Sequence, residues 1–306
     1  MIAVMGAAGN VGGKVVDQLL EAGEEVRVLE HARDLTGLRA RGADVVGGDG
    51  MNIEHLRALF VGVSAALVLL AEDLADPSFV ENRAVMSRSI RDALRAETVS
   101  HVVALSAVGA ARADAPGPPG GLHVFEKDLG KLEAANLLVL RSAAYMDYLL
   151  AALPMIEARK INGSAVKPDS RFPMVATEDV AREVADRLMK RDFSGHQVKL
   201  LLGPEDVTMT EATRAIGERL GMPDLAYVEF PPQDVKGALM GAGMSGTVAG
   251  LIVDMQLALN EGVYFDGVRR TAESTTPTSL QDFLARALSE DAMESRTSGM
   301  KEQSHE

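Results

Sequence analysis

The stretch IAVMGAAGNVGGKVVDQLLEAGEEVRVLE, residues 2–30, decides the fold. Ile2 to Met5 form a short apolar run that reads as a strand. Residues 11–23 place apolar side chains at helical spacing, and residues 25–30 return to a strand pattern. Strand, loop, helix and strand within thirty residues make a βαβ unit. The loop carries Gly6, Gly9 and Gly12, spaced three apart. In such a unit the first glycine permits the tight turn, the second lets a pyrophosphate approach the backbone, and the third lets the helix pack on the strand. The free N–H groups at the helix start then face the phosphates. The flanking pattern therefore predicts a dinucleotide site over Gly6, Ala8, Gly9, Asn10, Val11 and Gly12.

Working outward, the same alternation continues. Strands are expected at 43–49, 65–71, 101–108, 136–142 and 197–203. Helices are expected at 35–42, 53–60, 78–96, around 144–159, at 178–191 behind a Thr177 N-cap, and at 208–221. Strands of mostly apolar residues alternating with helices predict an α/β fold, a doubly wound parallel sheet of the Rossmann type. Residues 1–150 read as its dinucleotide-binding core. Residues 151–288 are expected to complete the sheet and form a smaller, mostly helical substrate lobe, helical from about 222 onward. Residues 161–173 read as a polar turn, and 289–306 as a disordered tail. The Pro/Gly-rich stretch 111–122 reads as a loop at the carboxyl end of the fifth strand, where ligands of parallel sheets sit.

Bulk composition narrows the function. The net charge of −13 opposes a phosphate backbone, so nucleic acid is not an expected partner. There is no cysteine, which excludes disulfides, thiolate nucleophiles and cysteine-ligated metals. The six histidines form no HxxxH or HExxH pair, so no metal site is expected. No run of eighteen apolar residues is present, and the opening residues lack a leader pattern; the expected location is the cytoplasm, away from membranes.

The identity of the dinucleotide turns on the end of the second strand. Glu30 can bond both ribose hydroxyls and repel a 2′-phosphate, which favours NAD. His31 and Arg33 follow, and a cation there accepts the 2′-phosphate of NADP. Asp49 stands where the adenine edge would lie, or serves as a turn residue before Gly50. Leu70, Ala71, Ser106, Ala107 and Ser142 end later strands on the same side and complete the cofactor list.

GAAGNVGGKVVDQLLEAGEEVRVL, GADVVGGD, VSHVVALSAVGA, LVLRSAAYMDYL and DFSGHQVKLLLGPEDVTMTEATRAIGERLG together resemble the NmrA-like family of atypical short-chain dehydrogenases, over about residues 1–288. The resemblance implies a Rossmann fold and an NAD(P) cofactor, and tips the choice toward NADP. It also implies one of two roles. Family members include NAD(P)H-dependent quinone, azo-dye and triphenylmethane reductases, and regulators that bind the dinucleotide without catalysis. The chain departs from the family at Gly50, where leucine or tryptophan is usual, and at Ser142, where proline is common.

Ordinary short-chain dehydrogenases use Tyr-xxx-Lys, the lysine lowering the tyrosine pKa. Four residues beyond Tyr145, Tyr148, Tyr227 and Tyr264 stand Leu149, Ala152, Pro231 and Val268, so that pair is absent. His123 and Lys127 have the spacing instead. They are the candidate catalytic pair, His123 near the nicotinamide and Lys127 on its ribose, or else a helix-start histidine and a solvated lysine; Glu126 is a rival acid. A conjugated acceptor needs only stacking against the nicotinamide, with solvent as proton source. Met86, Phe125, Tyr145, Tyr148 and Phe172 are the candidate walls of that pocket. The expected function is an NAD(P)H-dependent reductase of quinone-like or other conjugated small molecules. The alternative is a non-catalytic redox sensor acting through a protein partner; a homodimer is also open.

Overall fold

The computed structural model describes residues 1–30 and 36–289. His31, Arg33 and the expected tail beyond Ser289 lie outside the described residues. Six strands alternate with helices in the first half: β1 (Ile2–Met5), α1 (Asn10–Glu21), β2 (Val26–Glu30), α2 (Thr36–Ala40), β3 (Asp44–Gly47), α3 (Ile53–Phe60), β4 (Ala65–Val68), α4 (Phe79–Ala96), β5 (His101–Ala107), α5 (Pro118–Leu129) and β6 (Asn136–Ser142). The second half holds β7 (Ala144–Tyr145), α6 (Leu153–Arg159), β8 (Ile161–Ser164), β9 (Arg171–Val175), α7 (Thr177–Lys190), β10 (His196–Leu201), β11 (Asp206–Thr208), α8 (Met209–Arg219), β12 (Ala226–Glu229), α9 (Pro232–Gly241), α10 (Gly246–Asn260) and α11 (Leu280–Ala287).

The main sheet runs β10-β6-β5-β4-β1-β2-β3, and every pairing is parallel. Its central strands β1, β4, β5 and β6 are apolar because both faces are covered, while the edge strands β3 and β10 stay partly exposed. Beneath one face, Val15, Val16 and Leu19 of α1 pack with Val180, Val184 and Leu188 of α7. On the other, Leu56 and Phe60 of α3, Ile90 of α4 and Phe125 of α5 form a second cluster. The chain leaves β1 toward β2 on one side and later passes to β4 on the other. The order reverses between β1 and β4, so the crevice for a ligand opens at the carboxyl ends of those two strands.

The second half departs from expectation. Residues 161–173 hold β8 and the start of β9 rather than a polar turn; β8 pairs with β12, and β9 with β7 and β11. Short alternating strands in a Gly/Ser/Pro-rich stretch carry a turn composition, and tertiary pairing overrides it. The helix expected around 144–159 is a strand, a 3-10 stretch over Met146–Ala152, and only then α6. Thr177 is the first residue of α7 rather than its N-cap, and its hydroxyl is used across the fold. Helix α5 begins at Pro118, so the loop expected over 111–122 is shorter.

Candidate functional site

The glycine loop folds as its spacing predicts. Gly6 has φ +71°, a conformation that L side chains rarely adopt. A Cβ added at Gly12 would sit 2.1 Å from the Gly6 carbonyl oxygen, so helix α1 reaches the loop only because residue 12 is glycine. Gly9 is the N-cap and brings no side chain to the helix start. The N–H groups of Asn10, Val11 and Gly12 are those that helix geometry leaves unpaired. Ala8, Gly9 and Asn10 crest the loop in solvent, while Val11 turns its side chain into the core. This cradle has the chemistry for a pyrophosphate: bare backbone, a helix N-terminus and no side chain in the way.

The second side of the crevice is the end of β4. Leu69 lies against Gly6, its Cδ2 2.9 Å from where a Cβ would be. Leu70 is buried in the core and Ala71 is exposed, so the side chain over the loop is one residue earlier than the strand pattern suggests. On the other side of the loop, Glu30 ends β2 and its carbonyl accepts the Gly48 N–H. The Asp49 carboxylate accepts the Met51 N–H at 2.8 Å, which is the turn role. Its own N–H donates to His55 Nδ1 at 3.0 Å, and the His55 ring packs where a Gly48 side chain would go. Sequence reasoning missed His55; a histidine two residues into a helix carries no local signal for it. Gly50 faces Met5 and Met86, whose methyl groups lie 3.4 and 3.5 Å from its absent Cβ. Methionines fill the volume that a leucine or tryptophan would take.

At the carboxyl ends of β5 and β6 the polar residues converge. Ser142 Oγ lies 3.1 Å from both the Ser106 carbonyl and the Tyr145 hydroxyl. Ala107 pairs with Ser142 across the two strands. Burial holds the Tyr145 phenol above its ordinary pKa. The Tyr145 and Tyr148 rings lie 5.8 Å apart, and Tyr148 is 59% exposed. Ser106 Oγ donates to Glu126, whose carboxylate grips Arg141 in two bonds of 3.0 and 2.6 Å. Glu126 is thereby a fastener between α5, β5 and β6 rather than a free acid.

His123 lies in the second turn of α5. Its Nδ1–H donates to the Ala110 carbonyl at 2.9 Å, which leaves Nε2 as the other functional atom. Nε2 is buried without a hydrogen-bond partner among the described residues. Lys127 is exposed, and neither Glu126 nor Asp128 pairs with it. His123 is thus half-buried with Nε2 enclosed, while Lys127 reaches solvent. Phe125 and Phe172 are corrections: they are 0% and 3% exposed and belong to hydrophobic clusters, so they line no pocket. Met86 is likewise packed in the core beside Gly50 rather than in a substrate wall. Aromatic and methionine side chains suit a core as well as a pocket wall.

One group escaped the sequence reading altogether. Arg83 of α4 is 5% exposed, with its guanidinium 4.9 Å above the Phe79 ring. Nη1 donates to Glu72 at 3.3 Å, while Nε is buried with no partner among the described residues.

A glycine cradle at the switch point of a parallel sheet defines a Rossmann-type dinucleotide-binding protein. The profile of the NAD(P)H-binding family matches residues 6–191, and the chain belongs to that family. Quinone oxidoreductase 2 of Escherichia coli (strain K12) is 24% identical over 275 residues, covering 87% of this chain and 90% of that protein. Its NADPH complex superposes with a TM-score of 0.78 at 20% identity, over 94% of this chain and all of the other. The triphenylmethane reductase of Citrobacter sp., complexed with NADP(H), gives 0.77 at 19% identity over 94% of this chain and 100% of its own. The NmrA-like oxidoreductase notA of Aspergillus sp. (strain MF297-2) is 37% identical over 111 residues, 33% of this chain and 32% of the relative. The NmrA-like resemblance and the Rossmann architecture are borne out. No helix among the described residues is long and apolar enough to cross a membrane.

Proposed function

We propose that the protein is an NADPH-dependent reductase of quinone-like or other conjugated small molecules, working without a Tyr-xxx-Lys pair. The observation that carries the reading is the bare cradle of Gly6, Gly9 and Gly12, facing the same edge as Ser106, Ser142 and Tyr145. The relatives named for quinone and triphenylmethane reduction support it, and their NADPH and NADP(H) complexes favour NADPH over NADH. Residues 6–12 would hold the pyrophosphate, with Leu69 along the loop. Ser106, Ala107 and Ser142 would line the nicotinamide end, and Tyr145 with the exposed Tyr148 the acceptor's side.

The dinucleotide, when bound, supplies a hydride. The protein's work is to hold the acceptor flat beside it, which is a matter of proximity and orientation. Tyr145 has no lysine four residues on, and its hydroxyl accepts from Ser142 Oγ at 3.1 Å. Nothing there stabilises a tyrosinate, so the proton comes from solvent. His123 keeps Nε2 for a ligand only if the residues covering it part.

The test is a fluorescence titration with NADPH and NADH, followed by nicotinamide oxidation at 340 nm with 1,4-naphthoquinone and a triphenylmethane dye. Binding and turnover with NADPH are the expected result. Tight binding with no turnover on any acceptor would favour the redox sensor; no binding of either dinucleotide would remove both readings.

A further inference from the structure

Arg83 stands out in the polar edge just described. A guanidinium has five N–H donors in a rigid fork. Here the side chain is more than nine-tenths buried, yet one bond of 3.3 Å to Glu72 is its sole hydrogen bond among the described residues. Burial lowers the pKa of the guanidinium, as expected of a cation short of partners. Phe79 covers one face at 4.9 Å, which offsets part of the desolvation but satisfies no donor. An under-satisfied buried cation is costly, and such groups persist where a ligand completes them.

Its surroundings say which ligand. Glu72 lies four residues beyond β4, on the segment that begins with Leu69 against the glycine loop. A Cβ at Gly121 would lie 3.8 Å from Arg83 Nε, so glycine leaves a methyl-sized space beside the orphaned donor. Tyr148 lies within electrostatic range of Arg83, and its ring leans on Tyr145. Arg83 thus borders the same carboxyl edge as the aromatic wall.

We propose that Arg83 is the anion-anchoring residue of the acceptor site, taking a carbonyl oxygen that becomes negatively charged as the acceptor is reduced. The proposal rests on the reductase reading for the nature of the acceptor. Reduction would break a C–H bond of the reduced nicotinamide and move its hydride, one proton with two electrons, onto the conjugated acceptor. The electron pair displaced through the conjugated system settles on a carbonyl oxygen as an aryloxide, and solvent water then protonates it. A fixed cation beside that oxygen stabilises charge that is larger in the transition state than in the ground state. Arg83 therefore selects acceptors bearing a carbonyl conjugated to the reduced ring over neutral aromatics without one.

The test uses the full chain with NADP⁺ present and calorimetry with 2-naphthoate, an anion shaped like the reduced acceptor, against neutral 2-naphthalenemethanol. Arg83→Met removes the charge and keeps an apolar stem, a replacement buried sites often tolerate. We expect 2-naphthoate to bind wild type and to weaken by at least about tenfold in Arg83→Met, in line with loss of one charge-stabilising donor. Arg83→Lys should restore part of the affinity, and the neutral ligand should bind all three alike. NADPH titration should be unchanged. Equal 2-naphthoate binding by wild type and Arg83→Met overturns the proposal, as does no binding by wild type. If Arg83→Met does not fold, unchanged affinity in Arg83→Lys, which loses the planar fork, overturns it instead. Turnover by wild type with no effect of Arg83→Met leaves the reductase reading standing and this one fallen. Anion binding lost in Arg83→Met, with no turnover in wild type, sinks the reductase reading and the charge-stabilising role with it, and leaves Arg83 as an anion-binding residue only.

Discussion

Gly12 is the residue on which the proposed cofactor site depends most sharply. A methyl group at that position would lie 2.1 Å from the Gly6 carbonyl oxygen, far inside any allowed contact. The oxygen is backbone and cannot swing aside, so the loop and helix α1 must separate. We expect Gly12→Ala to cost about 1–3 kcal/mol of stability, the range of overpacked cores. Dinucleotide affinity should fall more than tenfold, because the phosphate cradle itself moves. Thermal melts and NADPH fluorescence titration check the two parts. A variant that binds NADPH as wild type does would show that the cradle is not where the pyrophosphate lies. Tyr145 makes a contrasting case. Burial raises its pKa, so the phenol stays protonated up to and beyond its ordinary value of about 10. A group that does not titrate between pH 6 and 9 cannot shape a rate profile there. We expect Tyr145→Phe to leave that profile unchanged and to lower turnover by less than about tenfold. A general acid would be worth about 10² to 10⁴.

The elements of the first half were legible because each obeys one local rule. Strands β1 to β6 are apolar runs between helices with a 3.6-residue period, and a parallel sheet buried on both faces needs nothing else. The cradle was legible for the same reason: three glycines between a strand and a helix have one geometry. Strands β8, β9, β11 and β12 were not legible, since each is three to five residues long and exists through its partner. Phe125 and Phe172 misled because a buried aromatic looks alike in a core and in a pocket. Arg83 was hidden because an arginine in a helix of mixed charge reads as a solvated residue.

Helices α4 and α5 are joined by a device of the same hidden kind. Asp128 is buried and accepts from Ser87 at 2.8 Å, Arg91 at 3.2 Å and Lys131 at 2.7 Å. Burial works to raise its pKa, but Lys131, Ser87 and Arg91 outweigh it and hold the carboxyl below the usual range. The sign follows from linkage. A depressed folded-state pKa adds stability that is complete above the unfolded value of about 4 and is lost as pH falls through the folded one. We expect Asp128→Ala to cost about 3 kcal/mol at neutral pH, as removing one partner of a buried charged network does. The gap to wild type should narrow below about pH 4, read by urea denaturation across pH. A gap independent of pH would mean that packing, not charge, joins the two helices.

At the scale of the whole molecule, the first and second halves of the chain are not separable pieces. The outer strand β10 pairs with β6 along six residues, His196 to Leu201 against Leu137 to Ser142. Helix α7 covers the face that α1 would otherwise expose, with Val180, Val184 and Leu188 fully buried against the sheet. Lys14 of α1 donates to Thr177 Oγ1 at 2.8 Å, and Thr177 in turn donates to Asp147. The far end is fastened as well. Ser245, ahead of α10, donates to the carbonyls of Leu74 and Asp76, and Tyr264 donates to Pro116 at 2.6 Å. The loops after β4 and β5, which border the crevice, are therefore held by residues more than a hundred positions away. A fragment of residues 1–150 keeps the entire glycine cradle but loses Val180, Val184 and Leu188 from the cluster that covers Val15, Val16 and Leu19, and so uncovers part of that apolar face. Each such side chain forfeits about 1.5–3 kcal/mol when exposed, so a few of them exceed the net stability of an ordinary domain. We expect the fragment to show no cooperative melt and no NADPH binding, while the full chain melts in a main transition that NADPH moves upward. At a hundred times Kd the ligand adds about 2.7 kcal/mol to whatever it binds only when folded. Should the fragment melt cooperatively and bind NADPH, the dinucleotide half would be a domain in its own right, and the fastenings from α7, β10 and α10 would serve the acceptor site alone.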